Sequence, residues 1–180
     1  MSDRAKVRLV EDRLKRKAYA EIEKALGDFD DELLIQLLDA KSVKVGDSAA
    51  YALSDRQSYP FVIASVLARR FATKVGKLRA SNILFRAGRN YPEALAAHLE
   101  LLKDSNDEVS DNSLLALVHW GDRTVIKNIH ERKKNVKTER LRKQFELACK
   151  ALEAHDPKSF DPNFCDAKGI WRHQGPLTEQ

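Results

Sequence analysis

Apolar residues along the chain recur at steps of three and four almost throughout, the spacing that places them on one face of an α-helix. Val7, Val10, Leu14, Ala18, Ile22 and Ala25 define one amphipathic helix over residues 4–26, and Gly27 stands where it should stop. Residues 1–28 therefore read as a single N-terminal cap helix. From Asp30 the helices shorten and pair. A helix over Glu32 to Leu38 is followed by a turn over Asp39 to Val43, and a second helix starts near Val45 with Ala49, Ala50 and Leu53 on one face. The next pairs run from Tyr59 to Phe71 and Val75 to Ala87, from Tyr91 to Leu102 and Val109 to Trp120, and from Arg123 to Arg132 and Val136 to Ala154.

Ser58-Tyr59-Pro60 and Asn90-Tyr91-Pro92 open two of these helices 32 residues apart, with proline in the first turn, where its missing N–H has no helical partner. Asn90 with Glu93 fits a capping box. Gly27, Gly88 and Gly121 stand where a left-handed residue would close a helix. After Asp156 the helical period is lost. Pro157, Pro162, Gly169, Gly175 and Pro176 appear alongside Phe160, Phe164, Ile170 and Trp171. Residues 156–180 are expected to fold back over the last repeat as a capping tail, or to bind a partner through Trp171-Arg172-His173.

The second helices align on Val45, Val75, Val109 and Val136, at spacings of 30, 34 and 27 residues. Five positions on stand Ala50, Ala80, Leu114 and Leu141. One helical hairpin cannot bury its apolar stripe alone, so stacked hairpins share a core. The strings Leu33-Leu34-x-x-Leu37-Leu38-Asp39…Val45-x-x-x-Ala49-Ala50-x-Ala52-Leu53, echoed by Leu101-Leu102-x-Asp104…Val109 to Leu117, resemble a short HEAT-type repeat. That family's arginine after the valine is replaced by Gly46, Gly76, Ser110 and Lys137. The resemblance spans residues 29–155 and implies an all-α fold: a right-handed α-solenoid of about four HEAT-like hairpins.

Composition agrees. Seven glycines and five prolines in 180 residues, about half the average usage, leave too few turns for a sandwich or barrel. The net charge of +5 hides a strong alternation. Residues 27–56 carry −4, 57–90 carry +7, 91–122 carry −6 and 123–155 carry +6. Adjacent hairpins of opposite sign attract, and wrong pairings are penalised. Two cysteines without metal-ligand spacing, no long apolar run and no apolar leader core point to a cytoplasmic protein with reduced thiols.

No phosphate-binding loop, dinucleotide fingerprint, nucleophile elbow or zinc-protease motif is present, and no two histidines share a helix at metal spacing. No catalytic residue, cofactor or metal is expected. Some HEAT-like proteins are DNA glycosylases, but that family's catalytic residues do not map onto this chain. Two binding surfaces remain. The second helices turn one face away from the valine stripe, placing Asp47, Tyr51, Lys77, Ser81, Phe85, Asp111, Leu115, His119 and Arg142 on a concave surface. Mixed charge with aromatic anchors suits a protein partner, and the basic balance suits an acidic one. Size and family analogy suggest a bacterial adaptor or a toxin-neutralising immunity protein. The alternative is nucleic acid bound by Arg69, Arg70, Lys74, Lys77, Arg79, Arg86 and Arg89, although the same cations can instead compensate acidic neighbouring hairpins.

Overall fold

The computed structural model describes residues 3–136 and 138–161. Among these the chain is all-helical, with ten α-helices, three short 3-10 turns and no strand. It divides into two compact units, Met1–Ala87 and Gly88–Gln180.

The first unit holds α1 (Asp3–Leu14), α2 (Tyr19–Leu26), α3 (Asp31–Leu37), α4 (Val43–Asp55), α5 (Tyr59–Leu67) and α6 (Lys74–Ala87). They form two layers. α3 packs on α1 and α5 in one layer, α4 packs on α2 and α6 in the other, and the hairpins α3–α4 and α5–α6 join the layers. Asp30 starts α3 by accepting the Leu33 N–H at 2.8 Å, and Asp31 and Glu32 follow at the positive end of the helix dipole. The interior is fully buried Ile22, Leu26, Leu34, Leu37, Leu38, Leu53, Ile83 and Leu84, each contributing about 1.5–3 kcal/mol of apolar burial.

The second unit repeats the scheme with α7 (Glu93–Leu102), α8 (Asp107–Trp120), α9 (Ile126–Lys133) and α10 (Glu139–Ala154). α7 packs on α8 and α9, and α10 packs on α8 and α9. Its core gathers Leu114, Leu117, Ile129, Leu141, Phe145 and Leu152, with Phe160 at the edge. Asn106 caps α8, and Thr138 caps α10. Phe164, Ile170 and Trp171-Arg172-His173 of the expected tail lie outside the described residues, as does Lys137.

Four local expectations change. The helix over 4–26 is two helices, broken at residues 15–18. Nothing there is a helix breaker; α1 packs on α3 and α2 on α4, in different layers, so burial of both stripes outweighs local continuity. Ala18 is extended, and its N–H reaches the Glu21 carboxylate at 3.1 Å. α7 starts at Glu93, after a 3-10 turn over Gly88–Asn90, so the Asn90–Glu93 box does not form. Of the three glycines, only Gly88 is left-handed; Gly27 is helical and Gly121 extended. The left-handed ends of α4, α5 and α10 are Gln57, Arg69 and His155 instead. In each case the next N–H bonds back to a carbonyl five residues earlier, as from Ser58 to Leu53 at 2.9 Å.

The fourth change is a slip in register. Val45, Val109 and Val136 are buried, but Val75 is 45% exposed. α6 keeps Ala80, Ile83 and Leu84 inward, as expected, but turns Gly76 rather than Val75 toward the interior. The cause is Asp39, whose carboxylate accepts the N–H groups of Ala72 (2.9 Å) and Thr73 (3.0 Å) and the Thr73 hydroxyl (2.5 Å), holding the start of α6. A Cβ at position 76 would stand 2.0 Å from Asp39 Oδ1, so only glycine can face it.

Candidate partner-binding surfaces

The surface is defined by what the interior has already used. Arg79 of α6 is only 6% exposed. Its guanidinium donates to the carbonyls of Leu38 (2.8 Å), Ala40 (3.0 Å) and Val43 (3.3 Å), and its Nε to Asp47 Oδ1 (2.8 Å). These carbonyls surround the C-terminus of α3, where orphan acceptors and the negative end of the helix dipole favour a cation. The approach runs over Gly46, where a Cβ would lie 2.0 Å from Nη1.

The second unit contains the same device. Arg132 of α9 donates to the carbonyls of Leu102 (2.9 Å) and Asp104 (2.7 Å), and the Ser110 hydroxyl donates to the same two carbonyls at 3.0 Å. Leu38, Ala40 and Gly46 thus correspond to Leu102, Asp104 and Ser110. Arg56 makes a third such closure, donating to the carbonyls of Leu26 (3.1 Å), Gly27 (2.7 Å) and Phe29 (2.6 Å). The small residues Gly46, Gly76 and Ser110 directly after three of the four aligned valines were the visible signal. The small residue leaves room for an arginine or aspartate arriving from another segment.

This accounts for much of the basic block. Arg79 is inside. Arg70 pairs through both Nη atoms with Glu32 of α3, and that pair, with Gln36, holds the Glu32 carboxyl below its ordinary range. Arg69 occupies the left-handed turn after α5. Lys74 and Arg86 are exposed at opposite ends of α6, Lys77 is half-buried, and the side chain of Arg89 lies outside those described. Ion pairs join segments of opposite charge in both units: Arg70–Glu32 and Arg79–Asp47 in the first, and Arg140–Asp111 (3.6 Å) in the second.

The expected concave stripe divides. Asp47 and Tyr51 are exposed on α4, and Arg142 is exposed on α10. Asp111 and Leu115 are half-buried on α8; burial pushes the Asp111 carboxyl up against the opposing pull of Arg140. Ser81, Phe85 and His119 are buried, so they present nothing to solvent. For α6 the reason is the one-residue slip: moving each position on by one gives half-buried Leu78 and exposed Asn82 and Arg86. His119 faces inward, its Nε2 3.4 Å from Asp161 Oδ2 and its ring edge-on to Trp120. No cluster of three metal-ligating side chains occurs among the described residues. None of their helices is long and apolar enough to cross a membrane.

The α2–α4–α6 layer of the first unit carries four exposed large apolar side chains: Tyr19, Val43 (63%), Tyr51 (56%) and Val75. Val43, Asp47 and Tyr51 follow one another at successive turns of α4, and Lys44 lies over the Tyr19 ring at 5.8 Å from its centre. Comparison with protein-family models, curated proteins and solved structures returns no match.

Proposed function

We propose that this chain is a non-enzymatic, cytoplasmic protein-binding module, a right-handed HEAT-like helical repeat that recognises one partner protein on its second-helix layer. The observation carrying this reading is the exposure of Val43 and Tyr51 around Asp47 on α4. An aromatic and an aliphatic anchor flanking a fixed carboxylate is the kind of patch from which a protein interface draws its energy. The Arg79 bond holds Asp47 in place and the packing of α4 on α2 and α6 holds the helix, so little ordering entropy is lost on docking. The two-layer alternation of hairpins in each unit supports the repeat reading. A bacterial adaptor or an immunity protein is the functional type this small scaffold suits best, with an acidic partner favoured by the net charge of +5.

Nucleic-acid binding is the second reading, favoured by exposed Arg69, Lys74 and Arg86. It loses its central cation, Arg79, to the interior. Titration with a DNA and an RNA oligonucleotide at low and physiological salt separates the two. Protein recognition predicts no saturable binding at either; affinity that falls steeply with salt would replace it with the nucleic-acid reading. Tyr51→Ala should weaken capture of the partner while leaving the helical circular dichroism signal intact.

A further inference from the structure

A groove of about 940 Å³ opens on another part of the first unit, between α1, the end of α3 and the two loops that follow α3 and α5. Half-buried Val7 and the almost fully buried Ile35, Ala40 and Phe71 form its apolar floor. Its carboxylates are engaged by the protein itself. Glu11 accepts the Ser42 N–H at 2.6 Å, Asp39 holds the start of α6, and Asp12 pairs with Lys15 at 2.6 Å. The Lys15 contact holds the Asp12 carboxyl below its ordinary range, with weaker pulls from Arg16 and Arg8. Three exposed cations in the lining, Arg8, Arg16 and Lys41, make neither a hydrogen bond nor an ion pair with the described residues. Arg8 lies on α1 and Arg16 in the turn that follows it.

We propose that this groove is a docking site for an acidic peptide segment with apolar anchors, distinct from the α4 surface. Each part of the groove matches one part of that occupant. The apolar floor takes aliphatic or aromatic side chains, and the cations on α1, in the turn after it and on the facing loop take carboxylates on either side of them. A nucleic acid would bring phosphates to the same cations but also to Asp12 and Asp39, and would leave the apolar lining without a partner. The site does not depend on Tyr51 or Val43, so either surface can fail without the other.

The test is selection of random 12-residue peptides displayed on phage against the full chain and against its Arg8→Glu/Arg16→Glu variant. Enriched peptides should carry more Asp and Glu than Lys and Arg, with at least two large apolar residues. A fluorescein-labelled copy of the dominant peptide should lose at least about tenfold in affinity on the double reversal, about 1.4 kcal/mol. It should bind Tyr51→Ala as it binds the parent. Lys41→Glu, on a loop, carries the same test should the double reversal unfold the chain. Absence of enrichment, enrichment without an acidic excess, or affinity unchanged by reversal would overturn the proposal. Displacement of the peptide by oligothymidylate would overturn it in favour of nucleic acid.

Discussion

Gly46 and Arg79 form a pair whose coupling can be worked from the geometry. Alanine at position 46 would ordinarily stabilise α4 by about 1 kcal/mol, because glycine is a poor helix former. Here the added methyl would sit 2.0 Å from Nη1 and 2.1 Å from Cζ of Arg79, far inside the ~3.5–4.0 Å of an unstrained contact. The guanidinium must move by more than 1 Å, roughly, and its bonds to Leu38 and Ala40, at 2.8 and 3.0 Å, cannot survive that. Losing a buried cation's partners costs about 3–5 kcal/mol. The Asp47 contact adds little, since that carboxylate is half-exposed. Gly46→Ala should therefore destabilise the chain by about 2–4 kcal/mol net, a large part of a typical 5–15 kcal/mol. Arg79→Ala alone should cost about 3–5 kcal/mol. In the Arg79→Ala background, Gly46→Ala should turn favourable, by about 1 kcal/mol. Urea unfolding followed by circular dichroism measures all four corners of the cycle. A Gly46→Ala cost that is the same in both backgrounds, or no cost in the parent, would refute the role given to Arg79.

Asp39→Ala removes the acceptor of two N–H groups and a hydroxyl at the start of α6 and should cost about 2 kcal/mol by urea unfolding; a loss below about 0.5 kcal/mol would contradict the clamp. Gln57 holds φ of 55° at the end of α4, so Gln57→Gly should raise stability by about 0.5–1 kcal/mol, and a decrease would mean that the left-handed turn carries no strain. The Glu32 carboxyl is held below its ordinary value of 4.5 by Arg70. Its contribution is thus present above pH 4.5 and fades as pH falls through the lowered value. Because both partners are substantially exposed, Glu32→Gln should shift the urea midpoint only slightly at neutral pH and by less as the medium is acidified; an effect that grows on acidification would reverse the assignment.

The hairpins were legible because apolar periodicity survives wherever a helix buries one face, and Leu33 to Leu53 shows it almost without interruption. The break after Leu14 was not, since 15–18 contain no Gly or Pro and the split follows from burial in two layers. The α6 register was hidden for a related reason. Val75 matches the lead valine of the other hairpins by type, yet the Asp39 carboxylate, 36 residues earlier, rotates the helix so that Gly76 faces inward. Ser81 and Phe85 of α6 lie in the core, and Asn82 and Arg86 outside. Arg79 shows the limit most plainly: seven cations without an intervening acid read as a basic patch, whereas one is buried on carbonyls and another is paired with Glu32. The exposure of Asp47 and Tyr51 was legible because Val45 is buried, although α4 begins two residues earlier, at Val43.

The proposed interface on α4 is tested most directly by site-specific photocrosslinking in cells that express the chain with a photoreactive phenylalanine at position 51. The same side chain at Lys127, an exposed position on α9, serves as control. The account predicts one discrete protein adduct from position 51, absent from the control and reduced by Val43→Ser. No adduct at position 51, an adduct equally strong from Lys127, or crosslinking to nucleic acid in its place would contradict it.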